Sequence, residues 1–495
     1  MQKTSWVVGI GITGMLGLAV FLALSEFSTG QPPATQLSPP SEDRINPIVA
    51  DCNVTPDVDT REKPPKTTPV TSALITSSQP CAETVTPNGL TNNPLTDLQR
   101  GFDFYSWLTF MALNSPADGA VIGKSPKGSD PITRWESPEN YRQLADIMLP
   151  EGRRPLWGTP VVPPECRSEY KSGMMIIKVI EESFNQPFKS GPLIDQNGRY
   201  ALFDILINKP MFDYIVEHGL YSKAGQQTFS DRVVFPSGSN PGDKKGQATP
   251  GRMGAVMLKV SWKILDGKDD PKRFHTVQAL VDVPNLNDPY DTPTCVRATL
   301  GMVGFHVGHK TRNRPQWIWT TFEHVDNAPE QKDIDGNKLR THYNFYNPAC
   351  DVMQCPTNQT PPRPWGLGRS LKFHSPFRSQ VVRTTSLFAG ARELNQAFQS
   401  ILGGTAWENY MLVSTQWPSD FGCATSPDPT HEVDQTCAPA PTYLANTTLE
   451  TYSQAGLDGQ TPLATSSCMA CHGNATTRRQ GGVPSDFTFI LEKAH

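Results

Sequence analysis

The sequence predicts an α+β fold, with a β-rich body, peripheral helices and a short C-terminal segment that has its own chemistry. Seven runs between residues 174 and 416 are rich in β-branched and aromatic residues, as strands are. Residues 98–113 and 387–402 repeat apolar residues at helical spacing instead. Two cysteines and a histidine stand within five positions near the C-terminus, where little chain remains to fold around them.

Residues 1–29 are predicted to form a signal peptide or an N-terminal membrane anchor. The start, Met1–Lys3, is cationic, and Trp6–Leu24 contains no charged residue. This uncharged stretch exceeds the usual apolar region of a signal peptide and is just long enough to span a membrane. The sequence therefore predicts an extracytoplasmic location, the bacterial periplasm or its equivalent. It leaves open whether the segment is cleaved or retained as an anchor.

Residues 30–92 are rich in Pro, Thr and Ser and poor in large apolar residues, which predicts a semi-extended linker without a core. The β-rich α+β body is expected over residues 93–440, because no change in composition divides that stretch. Its first helix, Leu98–Leu113, is rich in aromatic residues and should bury one face. A second helix is predicted over Leu387–Leu402, and a short third one over Tyr443–Tyr452.

The predicted strands share alternating or continuous apolar character, and most are followed by turn residues. Their limits are Met174–Ile180, Tyr200–Ile207, Ala255–Leu265, Phe274–Val283, Ala298–His309, Gln316–His324 and Tyr410–Gln416.

The run Cys468-Met469-Ala470-Cys471-His472 has the C-x-x-C-H spacing of c-type haem attachment. Two thiols three positions apart can each add to a vinyl group of one porphyrin, and the adjacent imidazole of His472 can ligate the iron. A redox dithiol is the rival interpretation, but it gives His472 no role. A zinc site would need further Cys or His ligands at zinc-finger spacing. Residues 441–495 are therefore predicted to form a haem-binding segment, packed on the body, that carries one covalent haem c.

A sixth iron ligand from the protein is expected to come from the upstream body or from His495, because residues 473–495 contain no methionine. His306 is the first candidate distal ligand. Strand alternation places it on one face with two glycines, which should leave open surface for a flat macrocycle. His324 is the second candidate and Met302 the third. For all three, His306 included, a structural histidine or a core methionine is the favoured interpretation.

Eight cysteines remain outside the haem motif, an even number that suggests disulfides in an exported protein. Spacing favours three pairs, with free structural cysteines as the alternative: Cys52–Cys81, Cys350–Cys355 and Cys423–Cys437. The formal net charge is −4, so no strongly basic surface argues for nucleic acid. The expected partner is a redox protein or a small-molecule oxidant or reductant.

Three segments resemble large bacterial single-haem proteins of the cytochrome c family: Trp317–Asn327, Leu444–Thr451 and Ser466–His472. The likeness extends from about residue 95 to the end of the chain. It implies haem attachment through Cys468 and Cys471, iron ligation by His472, and an exported location. It implies no particular reaction.

Two classes of function follow from a single c-type haem. The first is electron transfer, in which the body tunes the reduction potential by burial and hydrogen bonding. The second is a haem enzyme, peroxidase-like or another oxidoreductase, with an open distal iron site and His306 as acid and base. The body is large for a simple carrier, which keeps the second class open. The absence of a second haem motif disfavours the two-haem peroxidase arrangement.

Overall fold

The computed structural model describes residues 52, 79–81, 94–123, 131–158, 160–171, 174–178, 184–240, 251–283, 294–351, 353–363, 365, 377–419, 438–454 and 466–495. They belong to one unit, Asn46–His495. The predicted N-terminal segment 1–29 and nearly all of the linker 30–92 lie outside the described residues. None of the helices described combines the length and the apolar character needed to cross a bilayer.

The nine strands described here form one sheet, which confirms the predicted β-rich α+β fold. All seven strands predicted from sequence are present, with limits that shift by a few residues. The strands are β1 (Tyr141–Gln143), β2 (Met175–Lys178), β3 (Leu202–Asn208), β4 (Val256–Ile264), β5 (Thr276–Val283), β6 (Thr294–Thr311), β7 (Arg314–His324), β8 (Tyr410–Pro418) and β9 (Pro439–Ala440).

The 18-residue strand β6 organises this sheet. Its first half pairs with β5 and its second half with β7, both antiparallel, while β4 pairs along its other edge. The order continues from β4 through β3 to β1 on one side, and from β7 through β8 to β9 on the other. Only β2 and β5 pair in parallel among the described strands.

Six helices are described: α1 (Pro94–Leu113), α2 (Lys209–Glu217), α3 (Lys223–Thr228), α4 (Gln331–Asp335), α5 (Ala389–Ile401) and α6 (Cys468–His472). The predicted helices at 98–113 and 387–402 correspond to α1 and α5. These two pack on one face of the sheet, where Trp107 of α1 stacks on Phe398 of α5 at 4.8 Å and Phe110 stacks on Phe322 of β7 at 4.1 Å. Such aromatic contacts add to a large burial of apolar area.

The opposite face of β7 receives the C-terminal segment. Trp317 and Trp319 alternate with the residues that face α1, and they share an apolar cluster with Met469, Phe487 and Leu491. Because successive strand residues point to opposite faces, β7 separates the α1 core from the segment that contains the C-x-x-C-H motif.

The predicted short helix over Tyr443–Tyr452 is wrong, because only Thr451–Ser453 forms a 3₁₀ turn. The polar groups of this segment bond to β7 instead. Asn446 donates from Nδ2 to the Phe322 carbonyl at 2.9 Å, and the Thr447 amide donates to Glu323 at 2.5 Å. These contacts with a distant strand override a local helical pattern.

Among the described residues the structure contains three disulfides: Cys52–Cys81, Cys166–Cys295 and Cys350–Cys355. The first and the third are the pairs that spacing predicted. The second joins residues 129 positions apart, a separation from which no pairing could be inferred. The predicted Cys423–Cys437 pair lies outside the described residues.

Asp103 of α1 makes stability depend on pH. Burial raises the pKa of its carboxyl to about 7, although Gln99 and Thr415 donate hydrogen bonds to one oxygen. The folded state therefore holds a proton that the unfolded state loses near pH 4, so this group's contribution to stability falls as pH rises from about 4 to about 7. We expect Asp103→Asn to gain on the order of 4 kcal/mol over wild type across that range.

The difference in unfolding free energy between Asp103→Asn and wild type, measured in urea from pH 4 to 8, checks this expectation. Asp118→Asn is the matched control, because Asp118 is exposed. A difference that stays constant across the pH range would contradict the assignment of this effect to Asp103.

Candidate functional site

The C-x-x-C-H run forms the short helix α6, which begins after Ser467. The Ser467 hydroxyl caps α6 by accepting from the Ala470 amide at 3.3 Å, a usual role for serine at this position. Cys468 and Cys471 are one turn apart, so their thiols lie on the same side of α6. Both thiols are partly exposed and neither forms a disulfide.

Gln416 at the end of β8 fixes this helix to the sheet. Its Nε2 donates to the Ser467 hydroxyl at 3.1 Å and to the Pro441 carbonyl at 2.7 Å. Its Oε1 accepts from the Met469 amide at 2.8 Å. The Met469 side chain is buried beside Trp317 and Trp319, so it serves as the apolar anchor of α6.

His472 is oriented by a backbone carbonyl. Its Nδ1 donates to the oxygen of Phe487 at 2.8 Å, and its ring lies 4.6 Å from that of Trp319 and 5.2 Å from that of Phe489. Burial lowers the pKa of His472 to about 4, so the imidazole is neutral at pH 7. Its Nε2 makes no hydrogen bond to the residues that the structure describes. A neutral imidazole held at Nδ1 presents Nε2 as a metal ligand.

The two thiols do not have the character of a redox dithiol. Burial, with a contribution from the Glu450 carboxylate, raises the pKa of Cys471 to about 11 and that of Cys468 well above its usual value. Catalytic C-x-x-C thiols need the opposite shift, because the thiolate is the nucleophile. The raised pKa values therefore disfavour a redox dithiol.

Three charged or titratable residues lie near the motif on the same face of the sheet. His306 contacts both carboxylate oxygens of Glu450 through Nε2 at 3.0 Å, and Lys259 is its cross-strand neighbour on β4. Burial acts to raise the pKa of Glu450, but His306 and Lys259 hold it below its usual value. All three act electrostatically on His472.

The surroundings of His306 differ from those expected. Gly304 does not leave open space, because a Cβ there would lie 2.2 Å from the Thr448 hydroxyl, and Gly308 packs against Met257. His306 lies on the expected face of the sheet. His309 lies on the other face, where its ring contacts the Tyr105 hydroxyl of α1. Iron ligation through Nε2 of His306 would require its contact with Glu450 to break.

The other candidate ligands have contacts of their own. His324 is buried with both ring nitrogens bonded: Nε2 donates to the Arg273 carbonyl at 2.9 Å and Nδ1 accepts from the Asp326 amide at 3.2 Å. Met302 is fully buried in the core under α1. These are the contacts of core residues. His495, the last residue, is exposed, and its carbonyl accepts from the Lys223 amide.

Sequence reasoning did not identify Gln416, Phe487, Glu450 or Lys259. None stands at a motif spacing from Cys468, and only the fold brings them to it. Across the parts of the chain described, no three His, Cys, Asp or Glu residues form a group that could hold a metal ion. No protein-family model, curated protein or solved structure matches this chain.

The chemistry of α6 fits a c-type haem. Two protonated, partly exposed thiols share one side of a helix turn, and the histidine that follows has one nitrogen fixed and the other available. Thioether formation consumes the thiols, and the imidazole nitrogen suits iron.

Proposed function

We propose that this protein is an exported c-type cytochrome that carries one covalently bound haem and transfers electrons. The observation that supports it most is the state of His472. Its Nδ1 donates to the Phe487 carbonyl at 2.8 Å, while Nε2 makes no hydrogen bond to the described residues. A histidine that ligates a metal usually donates a hydrogen bond to a carbonyl or carboxylate from the ring nitrogen that does not bind the metal.

Each residue of the site has a definite role in this proposal. Cys468 and Cys471 form the thioethers, and His472 ligates the iron through Nε2. Gln416 and Ser467 position α6, and the Phe487 carbonyl sets the orientation of the imidazole. When bound, the haem supplies a one-electron couple between ferric and ferrous iron. Lys259 and Glu450 act electrostatically on His472, and such charges would tune the reduction potential of a bound haem.

An extracytoplasmic location is part of the proposal. The three disulfides support it, because disulfides persist in oxidising compartments. The partner would then be a redox protein or a small-molecule oxidant or reductant in that compartment.

The test is a count of covalent haem in the full chain, purified from a bacterial host with the c-type maturation system. We expect the pyridine haemochrome to give one c-type haem per chain and the haem to resist acid–acetone extraction. Protein purified without haem, or haem that is fully extracted, would refute the proposal.

A haem enzyme is the second candidate, and the pair of His306 and Glu450 favours it. A histidine bonded to a carboxylate can take and return a proton in reactions of small oxidants. Cyanide and carbon monoxide distinguish the two functions. A carrier with two protein ligands should leave its optical bands unchanged when these are added, whereas an enzyme should bind them. His306→Ala should shift the ferric spectrum toward high spin only if His306 is the distal ligand.

A further inference from the structure

A cavity of about 480 Å³ lies away from α6, in a part of the fold to which the proposed function assigns no role. It is bounded by β1, by β2, by the beginning of β5 and by part of the stretch 131–138. Cavities of this size hold small organic molecules. Its apolar wall includes Tyr141, Met174, Met175, Leu206 and Val277.

The buried charged groups of the cavity already have partners, and Lys171, which also lines it, is exposed. Asp146 binds both Arg142, at 3.1 Å, and Lys178. Glu136 accepts a hydrogen bond from His275, with 2.6 Å between Oε1 and Nε2, and another from the Thr133 amide. Each buried charge of the cavity therefore has a counter-charge or hydrogen-bond donors, and a neutral ligand suits it better than an ion.

The Glu136–His275 pair is held rigidly. The second oxygen of Glu136 accepts from the Thr133 amide at 2.7 Å, and the His275 ring stacks on Trp407 at 4.7 Å. The His275 amide donates to the Tyr410 hydroxyl at 2.9 Å. In a neutral imidazole one ring nitrogen carries the hydrogen. If that nitrogen donates to a carboxylate, the second ring nitrogen can accept a hydrogen bond.

His275 lines the cavity, and its Nδ1 makes no hydrogen bond to any residue that the structure describes. We propose that this cavity binds a neutral phenol-class molecule, whose hydroxyl donates to Nδ1 of His275 and whose ring contacts the apolar wall. Met174, Met175 and Tyr141 suit an aromatic ring, because thioethers and aromatic side chains make favourable contacts with one. This inference is independent of haem attachment.

Isothermal titration of the full chain with 4-methylphenol and with its methyl ether, 4-methylanisole, tests the proposal. The two probes differ only in the hydroxyl hydrogen. We expect the phenol to bind about tenfold more tightly than the ether, as one hydrogen bond to a buried acceptor predicts. Equal binding of the two probes, or no binding of the phenol, would overturn the proposal.

Variants locate the binding site. His275→Phe keeps a ring against Trp407 but removes Nδ1, so the preference for the phenol should disappear while the ether binds as before. Met175→Trp leaves the Glu136–His275 pair in place and should abolish binding of both probes by filling the cavity. His218→Gln, at an exposed position after α2, is the matched control and should change nothing. If His275→Phe fails to fold, Met175→Trp still tests the proposal. Phenol binding that is unchanged in Met175→Trp would show that the phenol does not bind in this cavity.

Discussion

Replacing both Cys468 and Cys471 by alanine is expected to abolish covalent haem attachment while the fold remains intact. The thioether bonds require both sulphur atoms, and the described chain offers no further free thiol. Both residues are half-buried, and each truncation removes only one sulphur atom from the packing around them. Alanine also favours the helix more than cysteine does. The change in unfolding free energy should stay within about 1 kcal/mol.

Haem staining after denaturing electrophoresis measures this effect directly, with far-UV circular dichroism as the measure of folding. Cys350→Ala combined with Cys355→Ala is the control, because it also removes two cysteines, here a disulfide pair five positions apart. The control should keep its haem. If the variant at positions 468 and 471 kept covalent haem, the assignment of α6 as the attachment site would be wrong.

The strands could be predicted from sequence because burial on one or both faces leaves a local pattern. Val256–Ile264 and most of Arg314–His324 are apolar or alternating, so their limits were found to within about two residues. The helix α5 was found for the same reason. The helix predicted over Tyr443–Tyr452 is wrong because the hydrogen bonds of this segment go to β7, which is more than 100 positions earlier in the chain.

The candidate site could likewise be predicted from sequence only in part. Cys468, Cys471 and His472 form a motif because one small cofactor would fix their spacing. Such a short motif can be recognised from the sequence alone. Glu450 and Gln416 come from separate segments, and their relation to α6 depends on how β8 and the stretch 444–454 pack. His306 could be placed on the correct face by alternation, but its partner Glu450 could not be foreseen.

Asp486→Asn is expected to destabilise the protein by about 3–5 kcal/mol, the usual effect of breaking a fully buried ion pair. Asp486 and Lys310 contact each other with both side chains completely buried. Asp486 also accepts from the Phe235 amide at 2.7 Å. Its backbone φ of 52° is left-handed, a conformation that asparagine adopts as readily as aspartate. The substitution therefore tests the charge and not the backbone.

The effect should reach His472, because Phe487 follows Asp486 directly and also has a left-handed φ, of 62°. The Phe487 carbonyl accepts from His472, so loosening this turn should disturb the imidazole. Urea unfolding measures the loss of stability, with Asp351→Asn, at an exposed position, as the control. Adding Lys310→Met should recover part of the loss, because no unpaired charge then remains buried.

The pH dependence of the Asp486→Asn variant provides an independent check. Burial lowers the pKa of Lys310 in the folded protein, and the variant lacks the counter-charge that opposes this shift. Its unfolded state therefore binds more protons than its folded state until the pH reaches the usual lysine value of about 10.4. Stability of the variant should consequently rise with pH, and its deficit relative to wild type should shrink between pH 7 and pH 10. A deficit that is constant over this range would mean that Lys310 is not an unpaired buried cation in the variant, and the loss would then have to come from packing alone.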